Sequence, residues 1–148
     1  MHTIKQLRFL FGTAIFLLGF QSCGDSIDYG EIPWEDIYVN FSVYPYSLDN
    51  RLAAVGNYKV FENEGVWGVF VYHIGDMEEE FVAFDRACPF DCRSSDCYVT
   101  YNAAEGAFVS KCNQKFSIFT GFCTTISGYS LLKYNITYLS NGSFVVSN

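Results

Sequence analysis

Alternation of apolar and polar residues is the main pattern in the chain after about residue 36. In residues 37–43, IYVNFSV, the odd positions are apolar and Asn40 and Ser42 face the other way. This period of two predicts a strand with one buried face. The same alternation runs from Leu132 to Tyr138, and Asn141-Gly142 behind it is a strong hairpin signal before a last strand at residues 144–146.

Three further strands are predicted in the middle of the chain. Tyr58 to Phe61 forms a short strand, and residues 66–74, VWGVFVYHI, are apolar on both faces, which is typical of a central strand. The charged run GDMEEE forms a turn, after which residues 81–84 return antiparallel. Only residues 48–56 favour a helical turn. We therefore predict an all-β fold, an antiparallel barrel or sandwich.

The first 22 residues have the features of an export signal. Lys5 and Arg8 precede twelve largely apolar residues, 9–20, which are too few to span a bilayer comfortably. Ser22 and Cys23 then resemble the end of a bacterial lipoprotein signal, in which the cysteine becomes lipidated and N-terminal, although Phe20 stands where such signals usually carry Leu. The alternative is ordinary secretory cleavage nearby. We predict a signal peptide at 1–22, a tether at 23–33 and one β domain at 34–148.

Charge excludes one class of partner. The full chain has a net charge of −7, and loss of Lys5 and Arg8 with the signal leaves 16 acidic and 7 basic residues, a net charge of −9. A chain of this sign without a basic stripe repels phosphates, so we expect no nucleic-acid partner.

Candidate chemistry is concentrated in a cysteine-rich segment between residues 88 and 123, which contains Cys88, Cys92, Cys97, Cys112 and Cys123. Disulfides are the default in an exported protein, and five cysteines leave one thiol over after two bridges. Structural zinc is the competing interpretation, but it favours close C-x-x-C pairs and none occurs here. We predict no metal site. We also predict no catalytic constellation, because a nucleophile needs a base and His73 is the only histidine left after the signal.

Several segments, taken in order, resemble the Rieske iron–sulfur domain, and specifically its cluster-poor relatives among exported lipoproteins of Bacteroides-type bacteria. They are GVWGVFVYHI, EEFVAFDRACPFDC, VSKCNQKFSIFTG, SGYSLLKYNI and the terminal GSFVV. The resemblance spans residue 37 to the C-terminus. It implies a Rieske-like β domain whose cysteines lie on loops.

The resemblance also assigns the cluster positions. A Rieske cluster takes two cysteines and two histidines, from C-x-H and C-x-x-H motifs. Cys88 and Cys112 match the cysteines, but Phe90 and Lys115 stand where the histidines belong. The sulfur ligands are present and the nitrogen ligands are not. We expect no cofactor, and a two-iron two-sulfur cluster with unusual ligands, drawn from Asp91, Cys92 or Cys97, is the alternative.

The same resemblance implies that the two former ligand loops lie side by side. On that basis we predict a disulfide between Cys88 and Cys112, with one further pair and one free thiol among Cys92, Cys97 and Cys123. We expect His73, in an apolar run, to be a structural histidine rather than a ligand.

We expect a non-enzymatic lipoprotein, anchored by lipid to the bacterial cell envelope at the outer membrane or the periplasmic face. Its Rieske-like domain serves as a disulfide-stapled scaffold or binding module for an unidentified protein or ligand. Electron transfer through an unusual cluster is the alternative function, and binding of a carbohydrate or peptide is a third.

Overall fold

The computed structural model describes residues 37–75, 79–89 and 97–148. These residues form short strands joined by turns and one 3-10 helix, Asn50–Ala53, which confirms the helical turn expected at 48–56. The strands are β1 (Asn40–Val43), β2 (Tyr58–Phe61), β3 (Val69–His73), β4 (Phe81–Asp85), β5 (Val99–Asn102), β6 (Ala107–Ser110), β7 (Lys115–Ser117), β8 (Asn135–Tyr138) and β9 (Phe144–Ser147).

The strands form three antiparallel sheets, ordered β1-β9-β8, β2-β3-β4 and β5-β6-β7. The all-β prediction is confirmed, and the described part of the chain contains no α-helix. The cysteines of this part lie outside the strands, in the connections between them.

The middle sheet is covered on both faces, as its sequence predicts. Phe70 and Tyr72 of β3 belong to one core, shared with Phe108 and Phe116 of the β5-β6-β7 sheet. The alternate residues of β3 belong to a second core, shared with the β1-β9-β8 sheet; its members include Val69, Val71, Phe144 and Val146. Every residue of β3 and β4 is buried, because a strand between two layers has no solvent face. We name these the cysteine-side core and the terminal core.

The predicted C-terminal hairpin is confirmed. β8 and β9 pair antiparallel, and Gly142 of the connecting turn has a φ of +79°, in the left-handed region that favours glycine. β8 begins at Asn135 rather than at Leu132. The reason is that residues 132–134 pair with β4: the N–H of Asp85 donates to Leu132 O (2.9 Å), and the N–H of Tyr134 donates to Ala83 O (2.9 Å).

The sheet β5-β6-β7 was not predicted from the hydrophobic pattern. Val99, Phe108 and Phe116 of these strands face the core. The strands are short and include polar and charged residues, so their hydrophobic pattern is weak. The strands of this sheet, together with β4 of the middle sheet, flank the cysteines of the candidate site.

Residues 1–36 lie outside the described part, so the signal peptide at 1–22, the lipidated Cys23, the tether at 23–33 and the start of the domain at 34 remain predictions. Phe90 and Cys92 also lie outside it. No helix in residues 37–75, 79–89 and 97–148 is long and apolar enough to cross a membrane.

Candidate functional site

The base of the β4–β5 connection is an antiparallel ladder that ends at two cysteines. Ala87 and Tyr98 form an isolated bridge, and the N–H of Val99 donates to Arg86 O at 2.7 Å. One step further out, the N–H of Cys88 donates to Cys97 O at 3.1 Å. Cys88 and Cys97 therefore face each other across the ladder.

These two cysteines form a disulfide. Their Cα atoms are 5.5 Å apart, within the range that a disulfide spans without backbone movement. Both residues are buried, with 3% and 8% of their surface exposed, and both belong to the cysteine-side core. The bond is shielded from solvent, so soluble thiols reach it poorly.

The predicted pair Cys88–Cys112 is therefore wrong. Backbone pairing across the ladder brings Cys97 next to Cys88, whereas Cys112 lies on the exposed turn between β6 and β7. Cys112 is also disulfide-bonded.

The prediction of one pair within Cys92, Cys97 and Cys123 is corrected for the same reason. Cys97 takes its partner from outside that set, and Cys123 is a free, half-buried thiol. The N–H of Ile126 donates to its sulfur at 3.4 Å, and Thr125 Oγ1 lies 3.3 Å away.

Asp85 positions the start of the cysteine ladder. Its carboxylate is fully buried and accepts hydrogen bonds from the N–H groups of Ala87 and Val66 (both 2.8 Å) and from the hydroxyl of Tyr134 (2.8 Å). A more distant N–H, that of Trp67, lies at 3.4 Å. A buried carboxylate is stable only when its lone pairs are met in this way.

Tyr134 is affected in turn. Burial, and then the negative charge of Asp85, raise the pKa of the Tyr134 phenol far above its ordinary value. This pair was not predicted from the sequence, although one signal was available: Asp85 is a lone carboxylate that ends the apolar run FVAF.

The turn between β6 and β7 is organised by Ser110. Its Oγ accepts from the N–H groups of Cys112 (3.2 Å) and Gln114 (3.1 Å), and Asn113 adopts a left-handed φ of 60°. This arrangement holds Cys112 at the outer end of a tight turn.

Lys115, at the second of the two histidine positions implied by the Rieske resemblance, lies in β7. Its ammonium is 2.8 Å from the carboxylate of Glu105. This ion pair occupies the Lys115 side chain, which carries no imidazole nitrogen for iron. With Cys88 and Cys112 both in disulfides, the described residues do not fit a Rieske cluster.

His73 is a structural histidine, as predicted. It is buried, its Nδ1 donates to Leu52 O at 2.8 Å, and its ring lies 4.4 Å from that of Phe81. Its Nε2 is 3.5 Å from Glu80. No three His, Cys, Asp or Glu side chains in the described ranges lie together as a metal site.

Two cationic side chains lie over the ring of Tyr98, beside the cysteine ladder. The guanidinium of Arg86 lies 4.8 Å from its ring centre and the ammonium of Lys111 lies 5.2 Å from it. Arg86 also pairs with Glu62 at 2.8 Å. These contacts tie β4, β5 and the β6–β7 turn together around the disulfide.

Three comparisons with known proteins gave one match, to a solved structure. No family model matches the chain, and no curated protein matches it. Among solved structures it is similar to a candidate NADH-dependent nitrite reductase small subunit from Mycobacterium tuberculosis. That match has 17% identity and a TM-score of 0.45, and it covers 76% of this chain and 97% of the other.

Proposed function

We propose that this protein is an exported, lipid-anchored, non-enzymatic scaffold or binding module, built on a Rieske-like domain that disulfides hold together in place of an iron cluster. Cys23 is its lipid attachment site, and the cell envelope is its location. The partner is a protein or ligand presented to the exposed loops.

The disulfide between Cys88 and Cys97 is the observation that carries this proposal. Iron in a Rieske cluster binds thiolates, and a sulfur in a disulfide has no thiolate to offer. Lys115 adds a second argument, because its ammonium is already paired with Glu105. Both features favour a covalent staple at the position where the resemblance implies a metal.

Iron content tests the loss of the cluster. We expect protein purified anaerobically from the envelope to be colourless, without absorbance between about 400 and 600 nm, and to contain no stoichiometric iron. A cluster-containing Rieske protein taken through the same purification is the control. A reddish-brown preparation with two irons per chain would replace this proposal with electron transfer.

Metabolic labelling with a palmitate analogue tests the anchor. We expect the label on the wild-type protein and in the membrane fraction, and neither for Cys23→Ala. Cys123→Ala, which removes a thiol elsewhere, is the matched control and should label normally. An unlabelled wild-type protein whose mature chain begins at another residue would overturn the anchor.

A further inference from the structure

Two tyrosine rings are held in exposed positions near the start of β4. Tyr46 and Tyr138 are 61% and 48% exposed. The hydroxyl of Tyr46 donates to Glu80 Oε1 at 2.6 Å, and the hydroxyl of Tyr138 accepts the N–H of Phe81 at 3.1 Å. Because a hydrogen bond fixes the far end of each ring, both rings present a flat apolar surface with little freedom to lose on binding.

A cleft of about 450 Å³ lies beside Tyr138, between the start of β4 and strand β8. Ligand sites in proteins commonly span about 300–1,000 Å³. Glu79, Phe81, Lys133, Asn135 and Tyr138 are among the residues that line it. The cleft opens on the terminal-core side of the middle sheet, whereas the disulfide is buried in the cysteine-side core.

The polar groups of the cleft offer hydrogen bonds without a net charge. Lys133 Nζ donates to both carboxylate oxygens of Glu79, at 2.9 and 3.0 Å. The two side chains remain partly exposed, so each keeps hydrogen-bonding capacity towards a ligand. Asn135 is exposed and adds an amide, which is both a donor and an acceptor.

We propose that this cleft binds a neutral oligosaccharide. A sugar ring combines a face of C–H groups, which stacks on an aromatic ring, with a rim of hydroxyls that both donate and accept hydrogen bonds. Tyr138 supplies the flat surface, the Glu79–Lys133 pair and Asn135 supply partners for the rim, and Tyr46 supplies a second flat surface for a neighbouring unit.

Charge and shape distinguish this ligand from others. An anionic ligand would meet the carboxylate of Glu80 and a chain of negative net charge, −7 in full and −9 without the predicted signal. An apolar peptide side chain favours an enclosed pocket, whereas the apolar surface here is a pair of exposed rings bordered by charged groups. The inference names a ligand class for the proposed binding role, and it does not depend on the absence of iron.

Titration with sugars tests the inference on the full mature protein, held in a detergent that contains no glycoside. The probes are cellohexaose, maltohexaose, xylohexaose and mannohexaose, followed by calorimetry. We expect at least one to bind with a Kd in the micromolar to millimolar range, and Tyr138→Ala to weaken that binding about tenfold or more, which corresponds to about 1.4 kcal/mol. Tyr138→Phe, which keeps the ring, should retain most of the binding.

Two further variants keep the test decisive. Tyr46→Ala removes a largely exposed ring and should weaken binding without loss of folding, whereas Tyr38→Ala, at a residue 79% exposed on the chain before β1, should bind as the wild type does. Failure of all four sugars to bind, equal binding by the wild type and Tyr138→Ala, or preferential binding of polygalacturonate would overturn the inference. Iron content is independent of these results, so a failure here leaves the scaffold proposal standing.

Discussion

The hydroxyl of Tyr134 donates to the buried carboxylate of Asp85 at 2.8 Å, linking the segment before β8 to the end of β4. The same carboxylate accepts the N–H of Ala87, the residue next to Cys88. The position of the disulfide thus depends on a polar contact in the adjoining core.

Asp85→Asn should destabilise the domain. The asparagine amide has the shape of the carboxylate, but its NH₂ group cannot accept a hydrogen bond. One of the donors that now bonds to a carboxylate oxygen would therefore face another donor. Breaking a buried charged network in this way costs about 2–4 kcal/mol, read as a shift of the urea midpoint. Asp49→Asn is a comparison with fewer partners, since Asp49 accepts one N–H and pairs with Lys59. A midpoint unchanged in Asp85→Asn would contradict the role given to this carboxylate.

Stability should fall as the pH rises above about 10. The folded-state pKa of Tyr134 is raised by burial and by Asp85, so above the unfolded-state pKa of about 10 the unfolded chain loses a proton that the folded chain keeps. The contribution of Tyr134 is fully present below pH 10 and declines by about 1.4 kcal/mol per pH unit above it.

Tyr134→Phe isolates this contribution. The variant loses one hydrogen bond at neutral pH, about 1–2 kcal/mol, and its stability should decline less steeply than that of the wild type between pH 10.5 and 11.5. Tyr72 and Tyr138 also have raised pKa values through burial, so some slope will remain. Identical slopes for the two proteins would show that Tyr134 does not titrate in this way.

Gly121→Ala should lower the free energy of unfolding by more than the strain of a left-handed backbone alone. Gly121 has a φ of +75°, and a Cβ there would lie 2.7 Å from Cε1 of the buried Phe84 ring. Gly128→Ala is the matched control, with a φ of +89° and open space around the same atom. We expect about 1–2 kcal/mol for Gly128→Ala and about 1–3 kcal/mol more for Gly121→Ala, from urea unfolding. Equal losses would mean that Phe84 moves aside without cost.

The replacement of Cys88 and Cys97 by alanine should also destabilise the domain. In the chain-entropy model a loop of this length contributes about 2–3 kcal/mol. Either single variant should lose about as much as the double variant, because each removes the same bond. Cys123→Ala retains the disulfide, and its free energy of unfolding should stay within about 1 kcal/mol of the wild-type value. A double variant as stable as Cys123→Ala would show that the disulfide does not stabilise the domain.

The strands that could be predicted from sequence are those whose pattern reflects one environment along their length. β3 is apolar at every position because both of its faces are covered, and the alternation from Ile37 to Val43 reflects one covered face. The alternation predicts that β8 begins at Leu132, whereas it begins at Asn135. Leu132 and Tyr134 continue the alternation, but their backbone groups bond to β4. Period two does not state which neighbour a residue pairs with.

The site depends on contacts between distant residues, so less of it could be predicted. The spacing of the cysteines alone leaves every pairing open. Cys97 pairs with Cys88 because Ala87 and Tyr98 form a backbone bridge beside them, and the sequence pattern of this connection does not predict that bridge. The partners of Asp85 come from residues 66 and 134, far apart along the chain. The structural role of His73 was predictable because one histidine in an apolar strand lacks the further ligands that a metal needs.

Mass spectrometry of the exported protein, digested without reduction after its free thiols are blocked, tests the central claim most directly. We expect a peptide in which Cys88 is linked to Cys97, together with a blocked Cys123. Cys88 recovered as a free thiol, or linked to Cys112, would contradict it.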